Sequence, residues 1–163
     1  CEQIIDNGLN ELEIKISPKI KDKIVEFASG FPHYVHLLCK FGAKEIIENN
    51  KFEFSQGYLN IAIKKGIENT NEQLKSIPEL YASTILKDPI CRFKIFLPNS
   101  NWTWYIIEID KSDYNTCYGL VDGFEQELGY FSLSELESIS DSYGLKAELD
   151  SSFKATRLSK IKG

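Results

Sequence analysis

The side chains best suited to chemistry are a set of carboxylates in the second half of the chain. Glu108, Asp110 and Asp113 end a long aromatic and β-branched run, and Glu125 and Glu127 follow an Asp-Gly pair. If the run is a strand, Glu108 and Asp110 leave the same face, because strand side chains alternate. Two carboxylates meeting across a sheet can hold a divalent cation or act as acid and base. Glu108 and Glu127 are therefore the catalytic candidates, for a metal-dependent hydrolysis. Against them, this half has no histidine, and charged residues at strand ends are usually solvated. His33 and His36 stand at i, i+3 on a helical stretch. They supply two ligands where a metal needs four, and nothing in the sequence brings Asp22 or Glu26 to them. Cys1, Cys39, Cys91 and Cys117 have no CxxC spacing. They read as small buried thiols, and no metal site and no cofactor are expected.

The aromatic residues suggest recognition instead. Trp102 and Trp104 share a strand face with Ile106, opposite Tyr105 and Ile107. One face must be core, and Trp104 is expected there. Trp102, Tyr105, Glu108 and Tyr130, with Phe131 nearby, are the candidates for a binding surface.

The elements that carry these residues fall into two halves. Ser17-Pro18 is a helix start, followed by Ile20, Ile24, Phe27 and Ala28 on one face and a stop at Gly30. Leu12, Ile14 and Ile16 form an extended lead-in. A second helix is expected from about Pro32 to Glu48, then an extended link at Phe52–Phe54. Ser55 caps a third helix carrying Leu59, Ala62, Ile63 and Ile67. A polar stretch around Ile67–Ser76, a solvated helix or a linker, divides the chain into domains at 1–70 and 71–163. Beyond it the period becomes two at Cys91–Leu97 and Trp102–Asp110, and Asp122-Gly123 reads as a hairpin turn. Ser132-Leu133-Ser134-Glu135 is a capping box. It opens a helix presenting Leu133, Leu136, Ile139 and Tyr143, ending at Gly144. A last strand holds Leu145, Ala147 and Leu149, and the basic tail after Phe153 frays. The expected class is mixed: a three-helix domain, then an α+β domain with an antiparallel sheet and one long helix.

Composition limits the function. The 163 residues are 42% hydrophobic and 26% charged, an ordinary globular balance. The longest stretches without a charge are thirteen residues, Phe27–Cys39 and Ile95–Ile107, too short for a membrane span. A cytoplasmic location is expected. Net charge is −5, and Glu108–Asp150 alone holds eleven acids against Lys111 and Lys146. That local excess repels phosphate backbones and argues against direct nucleic-acid contact.

Two stretches resemble known families. Ile4-Ile5 with Gly8-Leu9, Ile14–Ser17, Ile24–Gly30 and Gly30-Phe31-Pro32-His33-Tyr34-Val35-His36-Leu37-Leu38 resemble the helical lid of AAA-type P-loop ATPases, over about residues 4–67. In that family an arginine often senses the nucleotide's terminal phosphate from the position matching His33. A neutral imidazole supplies neither a permanent charge nor a bidentate fork. No GxxxxGK[ST] occurs, so the resemblance implies ATP and Mg²⁺ only for a longer parent chain with an upstream ATPase core. Ile77-Pro78-Glu79-Leu80-Tyr81, Lys94–Pro98, Trp102–Tyr105 with Glu108 and Asp110, Tyr118–Val121 and Glu127–Leu136 resemble domain-of-unknown-function family 2958, over about residues 74–158. Such domains occur in bacterial proteins, often on plasmids and mobile elements, and the resemblance brings no activity.

The chain contains no methionine and begins at Cys1. Removal of an initiator, cleavage of a leader and the back end of a longer protein all fit. The lid resemblance, starting within a few residues of Cys1, favours the third. The reading that results is a C-terminal fragment of an ATPase with an appended interaction or regulatory module, not catalytic by itself, that meets an unknown protein partner. Metal-dependent hydrolysis is the alternative, and a nucleic-acid-associated accessory of a mobile element is the third.

Overall fold

A computed structural model describes residues 1–28 and 32–162. The expected stop at Gly30, and Gly30-Phe31 of the lid-like motif, lie outside the described residues. The chain divides into two compact units, 1–72 and 73–163. The class is as expected, a helical region followed by an α+β region with an antiparallel sheet.

Among the described residues the first unit has four helices where three were expected. The added one, α1 (Glu2–Asn10), buries Ile5 and Leu9, one turn apart. The lead-in is a short strand, β1 (Lys15–Ile16). Ser17 stands extended at the N-cap of α2 (Pro18–Phe27), but its carbonyl, not its hydroxyl, accepts from Ile20 and Lys21. The central helix α3 runs Pro32–Glu48, as its wide apolar stripe predicts. Next, β2 (Glu53–Phe54) pairs in parallel with β1. The polar stretch continues helix α4 (Gln56–Ser76). Ile5, Leu9, Ile24, Val35, Ile46, Phe54, Leu59 and Ala62 are all but sealed from solvent in one core.

The second unit is built on strands β3 (Ile90–Cys91), β4 (Phe93–Phe96), β5 (Thr103–Ile109), β6 (Thr116–Asp122) and β7 (Gln126–Ser132). Helix α5 (Leu133–Ser138), β8 (Glu148–Leu149), β9 (Thr156–Arg157) and α6 (Leu158–Ile161) complete it. The main sheet is antiparallel in the order β7-β6-β5-β4-β8, and β3 pairs with β9.

Four local expectations are corrected. The Asp122-Gly123 turn is a three-residue connection, 123–125, with Asp122 still in register opposite Gln126. Gly123 is needed for space, since a Cβ there would come within 2.6 Å of the Trp102 ring. The capping serine works as expected, with Ser132 Oγ accepting from the Glu135 amide. The long helix stops after six residues, because Ile139 turns extended. Asp141 Oδ1 then takes the Tyr143 and Leu145 amides, and Gly144 adopts φ +79, so a turn replaces the next helical turns. The last strand is cut to two residues, Glu148–Leu149. The tail does not fray. Asp88 accepts from the amide and hydroxyl of Ser159, Leu158 is buried beside Cys91, and β9 completes the pairing with β3.

Candidate docking surface

The register of the sheet decides which candidate residues meet. Ile106 pairs with Gly119 and Glu108 with Tyr118, so β5 advances two residues while β6 advances one. This β-bulge makes Ile107 the extra residue and turns Glu108 to the face opposite Trp104 and Ile106. Glu108, Tyr118 and Tyr130 form one cross-strand row, while Trp104, Val121 and Glu127 form another. Tyr130 and Glu127 are three apart on β7 and leave opposite faces. The two carboxylates proposed as one hydrolytic site are therefore separated by the sheet itself. Strict alternation would have kept Glu108 on the Trp104 side.

Glu108 is 2% exposed and holds the chain segment before β3. Its Oε2 accepts from the Tyr81 amide at 2.8 Å, and its Oε1 accepts from the amide and hydroxyl of Ser83. No lysine or arginine pairs with it among the described residues. Three oriented donors satisfy this buried carboxyl group. The residue it anchors is strained: Tyr81 has φ +68, a conformation that bulky residues avoid. The Tyr81 phenol stands beside that of Tyr130, and this neighbour, with desolvation and the nearby Glu108 carboxylate, pushes the Tyr130 phenol up to about 12. Tyr81, Ser83, Glu108, Tyr118, Leu128 and Tyr130 line a cleft of about 370 Å³.

On the other face, Trp102, Val121, Phe124, Glu125 and Glu127 line a second cleft of about 340 Å³. Trp102 stacks on Trp104 with ring centres 5.9 Å apart, and Phe124 meets Trp102 edge to face at 5.6 Å. Trp104 is buried, as expected, while Phe124 is 94% exposed. Tyr105 does not reach an open surface, because it packs against Phe153 among Ile107, Leu120 and Leu158. Phe131 is half-buried, packed against Ile77 and Leu136.

Between the clefts runs β7. It pairs with β6 on one side and, among the described residues, with no strand on the other. Leu128 and Tyr130 point toward the first cleft and Glu127 toward the second. Its seven residues contain no lysine or proline, the usual guards of a free edge.

The remaining candidates are placed apart from this surface. Asp110 accepts from the amide and hydroxyl of Ser112. Asp113 caps the next turn, and the Thr116 and Asn115 amides hold its carboxyl below the usual range. His33 lies in the first turn of α3, half-buried, and His36 is exposed. Among the described residues no group of three or more His, Cys, Asp or Glu could hold a metal ion. Burial pushes the Cys39 and Cys91 thiols up to about 11 and Cys117 to about 12, so they stay protonated.

Desolvation, then the neighbouring His36, lowers the His33 pKa below the ordinary 6.5. The unfolded chain therefore binds this proton more readily than the folded one. The contribution to stability is fully present above pH 6.5 and is lost as pH falls toward the folded value. Urea unfolding followed by helical circular dichroism should show His33→Gln flattening the loss of stability between pH 7.5 and 5.5. An unchanged slope would refute this role.

No helix is long and apolar enough to cross a membrane among the described residues. No curated protein and no solved structure matches the chain. The family described as protein of unknown function (DUF2958) matches residues 67–161, more than half of the chain and all of the sheet with both clefts. The chain therefore belongs to the DUF2958 family.

Proposed function

We propose that the α+β unit is an interaction module that receives an extended segment of a partner protein along β7. The observation that carries this reading is the seven-residue free edge with a cleft on each face. A strand added there gains main-chain hydrogen bonds, and its side chains fall alternately over the two clefts. The buried, fully engaged Glu108 supports this over hydrolysis, since a carboxylate holding three donors has little capacity left for a metal.

Photocrosslinking in cells tests the reading. A benzoylphenylalanine at Leu128 should yield discrete protein adducts that one at Tyr143, also exposed, does not. Introducing Tyr130→Lys should remove them by placing a charge on the edge. Equal adducts from both positions would overturn the proposal.

For the helical unit we propose the role of a lid on an ATPase core carried by a longer parent or a separate chain. What supports it is the resemblance of residues 4–67. Its check is copurification of a P-loop ATPase with the tagged chain and ATP turnover by that complex. A copurified partner without turnover overturns it.

A further inference from the structure

We propose that the segment received by β7 carries a lysine or arginine whose cationic head sits among Trp102, Phe124, Glu125 and Glu127. The inference rests on the docking role of β7 and names the chemistry of its partner.

Two aromatic rings set nearly at right angles, 83° between their planes, form the corner of this cleft. A cation can be drawn to the face of one ring while its methylene stem lies along the other. The corner is held open from below. Trp104 stacks on Trp102 at 20°, and Gly123 leaves the space its ring occupies. Glu125 and Glu127 add two carboxylates, and neither side chain has a hydrogen-bond or ion-pair partner among the described residues. Among the described residues no base lines the cleft. Such a place favours a basic side chain over an acidic one, and the eleven acids against two lysines in Glu108–Asp150 steer basic segments toward this unit. The position also suits a polypeptide. Glu127 belongs to β7 itself, so a residue on an added strand opposite it points into the corner, while its neighbours lie opposite Gln126 and Leu128 on the other face.

The test uses the whole protein and a short alternating threonine–valine peptide with a central lysine, beside a twin with norleucine there. Trp102 lines the cleft and Trp104, the other tryptophan of the chain, stacks on it, so their fluorescence reports occupancy. Amide hydrogen exchange across residues 126–132 reports strand addition. The lysine peptide is expected to bind at least about tenfold more tightly than its twin, and less tightly as salt rises. Phe124→Ala and Glu127→Gln, both at exposed positions that leave the fold intact, should remove that preference. Equal binding of the two peptides with β7 protected overturns the cation site and leaves the docking role standing. A lysine preference without protection of β7 overturns strand addition. Absence of any fluorescence response and any protection overturns both.

Discussion

Gly119→Ala should cost the sheet more than about 3 kcal/mol, because the added methyl meets backbone that cannot move aside. A Cβ at this position would stand 1.9 Å from the carbonyl oxygen of Tyr105 and 3.0 Å from its carbon. Gly119 pairs with Ile106, the last residue before the bulge in β5. The close approach of the two central strands and the extra residue Ile107 occur at one place. Relief would require parting β5 from β6, which would loosen Trp104, Ile106 and Leu120 together. Urea unfolding read by tryptophan fluorescence measures the loss, as both tryptophans belong to this unit. A variant within about 0.5 kcal/mol of the parent, the usual range of a neutral surface change, would show that the strands tolerate separation.

Glu108→Ala is the second large effect, at about 3 kcal/mol. The loss has two parts. Truncation opens a void beside Ile107, and it strands the Tyr81 and Ser83 amides and the Ser83 hydroxyl. Buried donors left without acceptors cost about 1–3 kcal/mol each when the site stays closed, and less when water enters. The strained φ of Tyr81 then loses the acceptor that anchors its amide, so the segment around residues 79–86 should loosen before the sheet does. Hydrogen exchange separates the two: amides at Tyr81 and Ser83 should lose protection while those of β6 keep theirs. Glu108→Gln should fall between, since its carboxamide matches the shape but turns an NH₂ toward a donor. If Glu108→Ala unfolds no more easily than the parent, the carboxylate is not what secures this segment.

Features written locally in the chain were legible. The apolar stripe of Pro32–Glu48 and the serine of the capping box each act within a turn or two, and both appear where the pattern places them. Helix α1 was not legible, because its Asn, Asp and Gly content favours turns and only Ile5 and Leu9 signal burial. The early end of α5 depends on Asp141, a carboxylate that takes backbone donors and competes with the helix. The candidate surface depends on longer reach. Strict alternation sets Glu108 beside Asp110 and on the Trp104 side. One inserted residue reverses that, and nothing in Ile106-Ile107-Glu108 announces a bulge. Tyr81 lies 27 residues from the carboxylate that holds it, so sequence spacing could not join them. Phe124 did carry a signal. A large apolar side chain at a hairpin tip has no core to enter, and Phe124 indeed stands exposed, its ring meeting Trp102 edge to face.

The tie between Asp88 and Ser159 bears on the order in which this protein takes shape during synthesis. Two residues 71 positions apart must both exist before β3 finds β9 and Leu158 closes over Cys91. The helical unit and the meander β4–β7 rely on nearer neighbours and can assemble as they emerge from the ribosome. The face beneath α6, with Ile107 and Leu120, stays uncovered until the final segment is made. A nascent chain stalled before residue 156 would therefore expose that apolar layer to chaperones and proteases, while its helical half is already folded.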